Sequence, residues 1–175
     1  VISNFTAVEK LLLAGNLKSG KTPDWNEYLG KMANLKALSL SGLDVEDLSF
    51  LLTQSTDSQT QATTLVPKPI ERLEIAGCGI ESEYVLDDST VNNIELLTKL
   101  KATLKYLDIS NNPIYNNIGD LSDLSGLELL YADNINIGDD IIDLMANSQS
   151  LKYLSLENCN ISNMQNIYNK PWLAT

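Results

Sequence analysis

Apolar residues along this chain recur in one spacing, at the first, fourth, sixth and eleventh positions of a short segment whose ninth position is Asn or Cys in the clearest copies. Those copies are Leu104-x-x-Leu107-x-Ile109-x-x-Asn112-x-Ile114, Ile70-x-x-Leu73-x-Ile75-x-x-Cys78-x-Ile80 and Leu151-x-x-Leu154-x-Leu156-x-x-Cys159-x-Ile161. Weaker copies run through Leu35, Leu38, Leu40 and Val45, with Leu43 at the ninth position, and through Leu127, Leu130, Ala132 and Ile137, with Ile135 there. A first copy uses Val8, Leu11, Leu13 and Asn16 and ends poorly on Lys18. Side chains of a strand alternate between its faces, so the fourth and sixth positions point into a core while the third, fifth and seventh point away from it. An Asn at the ninth position suits the turn that leaves the strand. Its amide both donates to and accepts from backbone groups that are costly to bury unpaired. Cys is small and partly apolar, a weaker substitute.

Copies start at residues 8, 35, 70, 104, 127 and 151, so successive periods are 27, 35, 34, 23 and 24. The intervening segments account for the difference. Residues 45–52 space their apolar side chains as one or two helical turns. Residues 55–69, rich in Ser, Thr and Gln and closed by Pro67 and Pro69, predict a mobile surface loop. Residues 91–100 carry Ile94, Leu96, Leu97 and Leu100 behind the capping run Asp88-Ser89-Thr90 and predict a helix. Thr22-Pro23-Asp24 before Trp25, Tyr28, Leu29 and Met32 predicts another, with Pro at its first helical position. Residues 139–145 are the counterpart in the fifth copy.

The pattern L-x-x-L-x-L-x-x-(N/C)-x-L resembles that of the leucine-rich repeat family, and the match covers nearly the whole chain. The resemblance implies an α/β solenoid, or horseshoe, with one parallel strand per repeat on the concave face and helices or irregular turns on the convex face. It implies a single domain over residues 1–175 with about six repeats and strands near 9–14, 36–41, 71–76, 105–110, 128–133 and 152–157. The two short periods at the end look like the compact repeats of internalin-type bacterial surface proteins and of some cytosolic eukaryotic regulators. A seventh copy would begin at about 174, where the chain ends in Trp172-Leu173-Ala174-Thr175. The chain is therefore expected to be a fragment cut from a longer array rather than a capped one.

Net charge of −11, from 12 basic and 23 acidic residues, repels phosphates and anionic membranes, so no nucleic acid is expected as a partner. Membrane insertion is not expected either, because no apolar run approaches about 18 residues. Cys78 and Cys159 fall three coils apart, on the order of 14 Å at ~4.8 Å per strand, beyond the ~7 Å reach of a disulfide. Unpaired thiols lean towards the cytoplasm. Against this stand a bacterial cell surface or secreted location and two sequon matches, Asn4-Phe5-Thr6 and Asn160-Ile161-Ser162.

Gly15-Asn16-Leu17-Lys18-Ser19-Gly20-Lys21-Thr22 satisfies the phosphate-binding loop G-x-x-x-x-G-K-[ST] and leaves a P-loop nucleotide hydrolase as a remote alternative. Asn16 is already claimed by the repeat, and Pro23 restricts Thr22 to extended geometry where the loop's helix should be under way. There is no His, the commonest general base and metal ligand. Asp87-Asp88 and Asp139-Asp140 read as helix-capping charges rather than cation ligands. No catalytic residue, metal or cofactor is expected.

What remains is the outward face of the strands. Early copies present Lys10, Leu12 and Ala14, then Ala37, Ser39 and Ser41, then Arg72, Glu74 and Ala76. The last three present Tyr106, Asp108 and Ser110, then Leu129, Tyr131 and Asp133, then Tyr153, Ser155 and Glu157. Tyr supplies contact area at low entropic cost, and acids of one sign select a basic partner. The expected site is therefore Tyr106, Asp108, Leu129, Tyr131, Asp133, Tyr153, Ser155 and Glu157, binding a protein or peptide with a basic surface. The alternative is a structural spacer or scaffold segment of a larger protein.

Overall fold

A computed structural model describes residues 5–16, 23–86, 89–115, 118–140 and 148–163. In chain order the strands are β1 (Lys10–Leu12), β2 (Ala37–Ser39), β3 (Leu52–Thr56), β4 (Thr63–Pro67), β5 (Arg72–Glu74), β6 (Glu83–Leu86), β7 (Ser89–Asn92), β8 (Tyr106–Asp108), β9 (Leu129–Tyr131) and β10 (Tyr153–Ser155). The α-helices are α1 (Trp25–Leu29) and α2 (Asn93–Thr98). Six strands form one sheet in the order β1-β2-β5-β8-β9-β10, every neighbouring pair parallel. Each lies inside one of the six expected segments and is three residues long. Register is strict: Lys10, Ala37, Arg72, Tyr106, Leu129 and Tyr153 form one row, and Leu12, Ser39, Glu74, Asp108, Tyr131 and Ser155 the next.

Between the two rows, Leu38, Leu73, Leu107 and Leu130 point the other way and are buried, while Leu11 and Leu154 at the ends are partly buried. Full burial of such a side chain contributes roughly 1.5–3 kcal/mol, so the inner coils gain most from stacking.

Backbone turns link coil to coil through the ninth position. Asn112 Oδ1 accepts from the N–H groups of Cys78 and Ile80 at 2.9 and 3.1 Å, and its Nδ2 donates to the carbonyls of Ile75 and Ile109, both at 2.8 Å. The two thiols do part of the same work. Cys78 Sγ donates to the Leu40 carbonyl at 3.2 Å and Cys159 Sγ to that of Ala132 at 3.0 Å, in each case the sixth position of the preceding copy. Both cysteines are free and buried.

One position earlier the chain turns left-handed in all six copies. Gly15, Gly42 and Gly77 hold it early, and Asn111, Asn134 and Asn158, with φ of 59°, 56° and 56°, hold it late. Both residue types tolerate this conformation. The late asparagines also bond to one another: Asn134 Nδ2 donates to Asn111 Oδ1 and Asn158 Nδ2 to Asn134 Oδ1, each at 2.9 Å. The regularity is present in the sequence, but hydrophobic spacing does not expose it.

The convex side departs from expectation. Helix α1 is capped by Asp24, whose Oδ1 accepts from the Glu27 N–H at 3.0 Å, so Pro23 precedes the cap instead of opening the helix. Helix α2 begins only at Asn93 and is capped by Asn92. The run expected to cap it from Ser89 is strand β7, paired antiparallel with β6. Asn93 is buried, its Oδ1 accepting from the Leu48 N–H and its Nδ2 donating to the Glu46 and Glu81 carbonyls. Only Ser49–Leu51 of residues 45–52 is helical, as one 3-10 turn.

The expected loop at 55–69 is instead the core of a hairpin, β3 paired with β4 from Leu52↔Pro67 to Thr56↔Thr63. Thr and Val favour extended backbone, and Asp57 closes the turn by accepting from the Gln59 and Thr60 N–H groups. The two hairpins, β3–β4 and β6–β7, fill the two long periods. Lys68, 1% exposed, anchors the first by donating from Nζ to the Leu52 carbonyl at 2.9 Å and to the Gly30 carbonyl beyond α1 at 3.2 Å. Burial pulls its ammonium down to about 8.

Of the convex segment in the fifth copy the described part, Gly138–Asp140, is a 3-10 turn. Asp139 is tied to the sixth coil. Its carboxylate accepts from the Ser162 hydroxyl at 2.7 Å and from the Ser162 and Asn163 N–H groups at 2.9 Å, which ties the fifth coil to the sixth. Residues 17–22 of the phosphate-loop match, Asn4 of the first sequon, Asp87 and Asp88, positions 141–145 and positions 172–175 lie outside the described residues.

Candidate functional site

Parallel register brings the three tyrosines of the last coils into one column. Tyr106 and Tyr153 stand in the first row on either side of Leu129, and Tyr131 stands in the second row between Asp108 and Ser155. Ring centroids are 5.4 Å apart for Tyr106 and Tyr131 and 4.8 Å for Tyr131 and Tyr153, with planes tilted by 38° and 36°. Such offset pairs contribute about 0.5–1.5 kcal/mol beyond their burial. The Arg72 guanidinium continues the column, 3.7 Å from the Tyr106 centroid. Glu74 in the same strand accepts from Arg72 Nε at 2.8 Å and also from Nη2. Burial pushes the Tyr106 and Tyr131 phenols up, and the neighbouring Tyr153 adds to the effect on Tyr131. Both rings stay neutral at physiological pH.

The column is half open. Tyr106 and Tyr131 are of intermediate exposure, Tyr153 is 47% exposed, and Leu129 lies partly buried among them. The acids divide into two kinds. Asp133 Oδ1 accepts from the Ser155 hydroxyl at 2.7 Å and the Glu157 N–H at 2.8 Å, so Asp133 and Ser155 brace two coils against each other. Asp108 Oδ1 accepts from the Ser110 N–H at 3.1 Å. Glu157 is exposed. Ser110, expected on the outward face, is buried, and its hydroxyl accepts from the Asp133 N–H. Ser110 and Asp133 share the seventh position, where strand pairing has ended and a side chain replaces a carbonyl as acceptor. Ser41 does the same for the Ala76 N–H.

Further along, the face closes up: Ala37 and Ser39 are buried. Outward orientation alone does not produce exposure on a concave sheet, where neighbouring side chains shade small residues.

The described start of the phosphate-loop match serves the solenoid. Gly15 N donates to the Ser41 carbonyl and Asn16 Nδ2 to the Leu13 carbonyl, so neither is aimed at a phosphate. No group of three or more His, Cys, Asp or Glu side chains suited to a metal ion occurs among the described residues. Burial raises the Cys78 thiol to about 11 and also pushes Cys159 up, which makes both poor nucleophiles. A second concavity, about 820 Å³, lies on the convex flank between α1, β3 and α2, with Gly30, Phe50, Leu52, Leu65 and Leu96 in its wall. The sequence hinted at it only through the apolar Leu65 in a polar stretch, 64% exposed in the structure. No helix of the described residues is long and apolar enough to cross a membrane.

Comparison with known proteins bears on the fold. The family model described as Leucine Rich Repeat matches residues 103–127. No curated protein sequence matches the chain. Among solved structures, the functional domain of InlJ from Listeria monocytogenes, described as including a cysteine ladder, aligns with a TM-score of 0.51 at 18% identity over 95% of this chain. This chain spans 34% of that structure's length. Two other structures from that organism align at lower scores. Internalin inlF has a TM-score of 0.41 at 18% identity, covering 98% of this chain and 61% of its own. Internalin C2 has a TM-score of 0.42 at 22% identity, covering 92% and 76%. The chain is a leucine-rich repeat solenoid, similar in fold to the InlJ domain.

Proposed function

We propose that the chain is a protein-interaction module, one solenoid domain of six coils over residues 1–175, that binds a protein or peptide on the concave face of its last three coils. The carrying observation is the partly exposed column of Tyr106, Tyr131 and Tyr153 on adjacent strands, with Leu129 between them. Aromatic side chains held rigid before binding lose little entropy when a partner arrives. Asp108 and Glu157 add charge of one sign beside it, which favours a basic surface. Asp133 and Ser155 hold the coils in register and act on the partner through that order. Extended concave surfaces are what stacked repeats offer in general.

A bacterial cell-surface or secreted location belongs to the same proposal. Free cysteines argue for a reducing compartment only when an oxidant can reach them, and both thiols here are buried in backbone hydrogen bonds. The test is a pull-down with the chain as bait beside a variant carrying Tyr106→Ala, Tyr131→Ala and Tyr153→Ala with matching circular dichroism. A protein held by the parent and lost by the variant supports the reading. Equal recovery overturns it and leaves the spacer role.

A further inference from the structure

Strand β4 pairs with β3 on one side and, among the described residues, with no strand on the other. Every residue from Thr63 to Pro67 is exposed. The Lys68 N–H donates to the Leu51 carbonyl at one end of the hairpin and the Asp57 N–H to that of Ala62 at the other. Paired residues of an antiparallel ladder alternate between bonding each other and pointing away, so these bonds set the phase. Thr64 and Val66 bond to β3, and the N–H and C=O of Thr63 and Leu65 point out of the hairpin. The far side of β3 is different: its Leu52 carbonyl accepts from Lys68, and Leu52, Thr53 and Gln54 wall the convex concavity. The open edge of the hairpin is therefore β4. Folded proteins blunt such edges with charged side chains, bulges or proline. Here Asp57 in the turn is the one charged residue from Leu52 to Pro67, and Pro67 closes the strand at its last residue.

We infer that β4 pairs with β4 of a second copy of the chain, antiparallel about a two-fold axis at Thr64, joining the two hairpins into one sheet. In that register Thr63 of each copy faces Leu65 of the other, and each such pair exchanges both its N–H···O bonds. Every outward backbone group of Thr63 and Leu65 is then satisfied, and Pro67, which has no N–H to give, lies beyond the last bonded pair. A register centred on Leu65 sets Pro67 opposite Thr63 and leaves the Thr63 carbonyl without a donor. The edge thus fits itself, as the contact surface of a two-fold dimer must. Charge favours the same place. Two chains of net charge −11 repel one another, and this hairpin lets them approach with no charged side chain in either β4. Leu65, 64% exposed, and Val66 lose water on pairing.

The test is sedimentation equilibrium of the whole chain up to about 1 mM. A contact between short strands buries well under about 1,000 Å², so the dissociation constant is on the order of 0.1 mM. Raising salt from about 0.05 to 0.5 M tightens association, because repulsion between two acidic chains is screened. Thr64→Lys sets like charges face to face at the axis and weakens the dimer about three- to fivefold. Gln54→Lys, on β3, changes the net charge equally and does not weaken it. Leu65→Pro deletes an outward N–H from each copy and abolishes the dimer, while the Thr64 and Val66 amides stay protected from hydrogen exchange and report an intact hairpin. In the parent, exchange at the Thr63 and Leu65 amides slows as concentration rises. A chain that stays monomeric to about 1 mM, equal weakening by the two lysine variants, or a dimer whose Thr63 and Leu65 amides exchange as in the monomer overturns the inference. The concave-face pull-down is independent of every one of these outcomes, since β4 is no part of that sheet.

Discussion

Replacing Asn112 separates the two functions its amide performs, because the chain carries its own comparison at the same position of other coils. In Asn112→Ala the buried N–H groups of Cys78 and Ile80 lose their acceptor and the Ile75 and Ile109 carbonyls lose a donor. An unpaired buried polar group costs about 1–3 kcal/mol. The two N–H groups alone amount to roughly 2–6 kcal/mol; carbonyls, with two lone pairs each, add less. Against a domain stability of roughly 5–15 kcal/mol this is a large loss. In Asn112→Cys the thiol can donate to the Ile75 carbonyl as Cys78 does to that of Leu40, while the turn N–H groups regain only sulfur, a weak acceptor. The expected cost is about half, roughly 1–3 kcal/mol. Urea denaturation followed by far-ultraviolet circular dichroism reads both, since a drop in midpoint at constant slope reports stability alone. With a slope of about 2 kcal/mol per molar, the Ala variant loses about 1–3 M in midpoint. An Ala variant as stable as the parent, or a Cys variant as damaged as the Ala one, refutes the assignment of the amide as the link between coils.

Cys78, raised to about 11 by burial, reacts with a chromogenic disulfide reagent at pH 8 at least about a hundredfold more slowly in the folded chain than in urea; fast labelling of the native protein contradicts its burial. Lys68 has a folded value of about 8 against an ordinary 10.5, so the unfolded chain binds more protons between the two. Stability of the parent relative to Lys68→Met therefore rises from pH 8 to pH 10.5, and denaturation midpoints that move in parallel over that window rule it out. Hydrogen bonds from Ser162 and Asn163 hold the Asp139 carboxyl below its ordinary 3.8. Its contribution is present above that value and lost as pH falls through the folded one, so Asp139→Asn speeds amide hydrogen exchange at Ser162 and Asn163 at neutral pH. Unchanged exchange there would remove Asp139 as the tie between the last coils.

Strand positions and the sheet's inner row were legible because Leu38, Leu73, Leu107 and Leu130 repeat an unmistakable spacing and are all buried. The convex side was not, because its elements are held by polar details that spacing does not record. Asn93 is the clearest case: its amide joins Leu48, Glu46 and Glu81, and nothing in the apolar pattern asks for it. The hairpin at β3–β4 was hidden by Ser, Thr and Gln, whose polarity reads as loop although Thr favours strands. At the concave face the three tyrosines could be placed from the repeat alone, since identical register puts them on adjacent strands. The bracing role of Asp133 and Ser110 could not, because it depends on where pairing stops.

Gly42 and Gly77 make the same left-handed step as Asn111, Asn134 and Asn158, and a Cβ added at either would meet nothing within 4 Å. The asparagine spine is therefore extensible by design. Asn111 ends it by accepting from Asn134, and its own amide faces a coil with no side chain to receive it. Gly77→Asn supplies that acceptor, and Gly42→Asn continues the line towards the start of the chain. Each added rung also removes backbone freedom from the unfolded state. A protein built this way can be stiffened along its outer edge one coil at a time without touching either its core or its concave face.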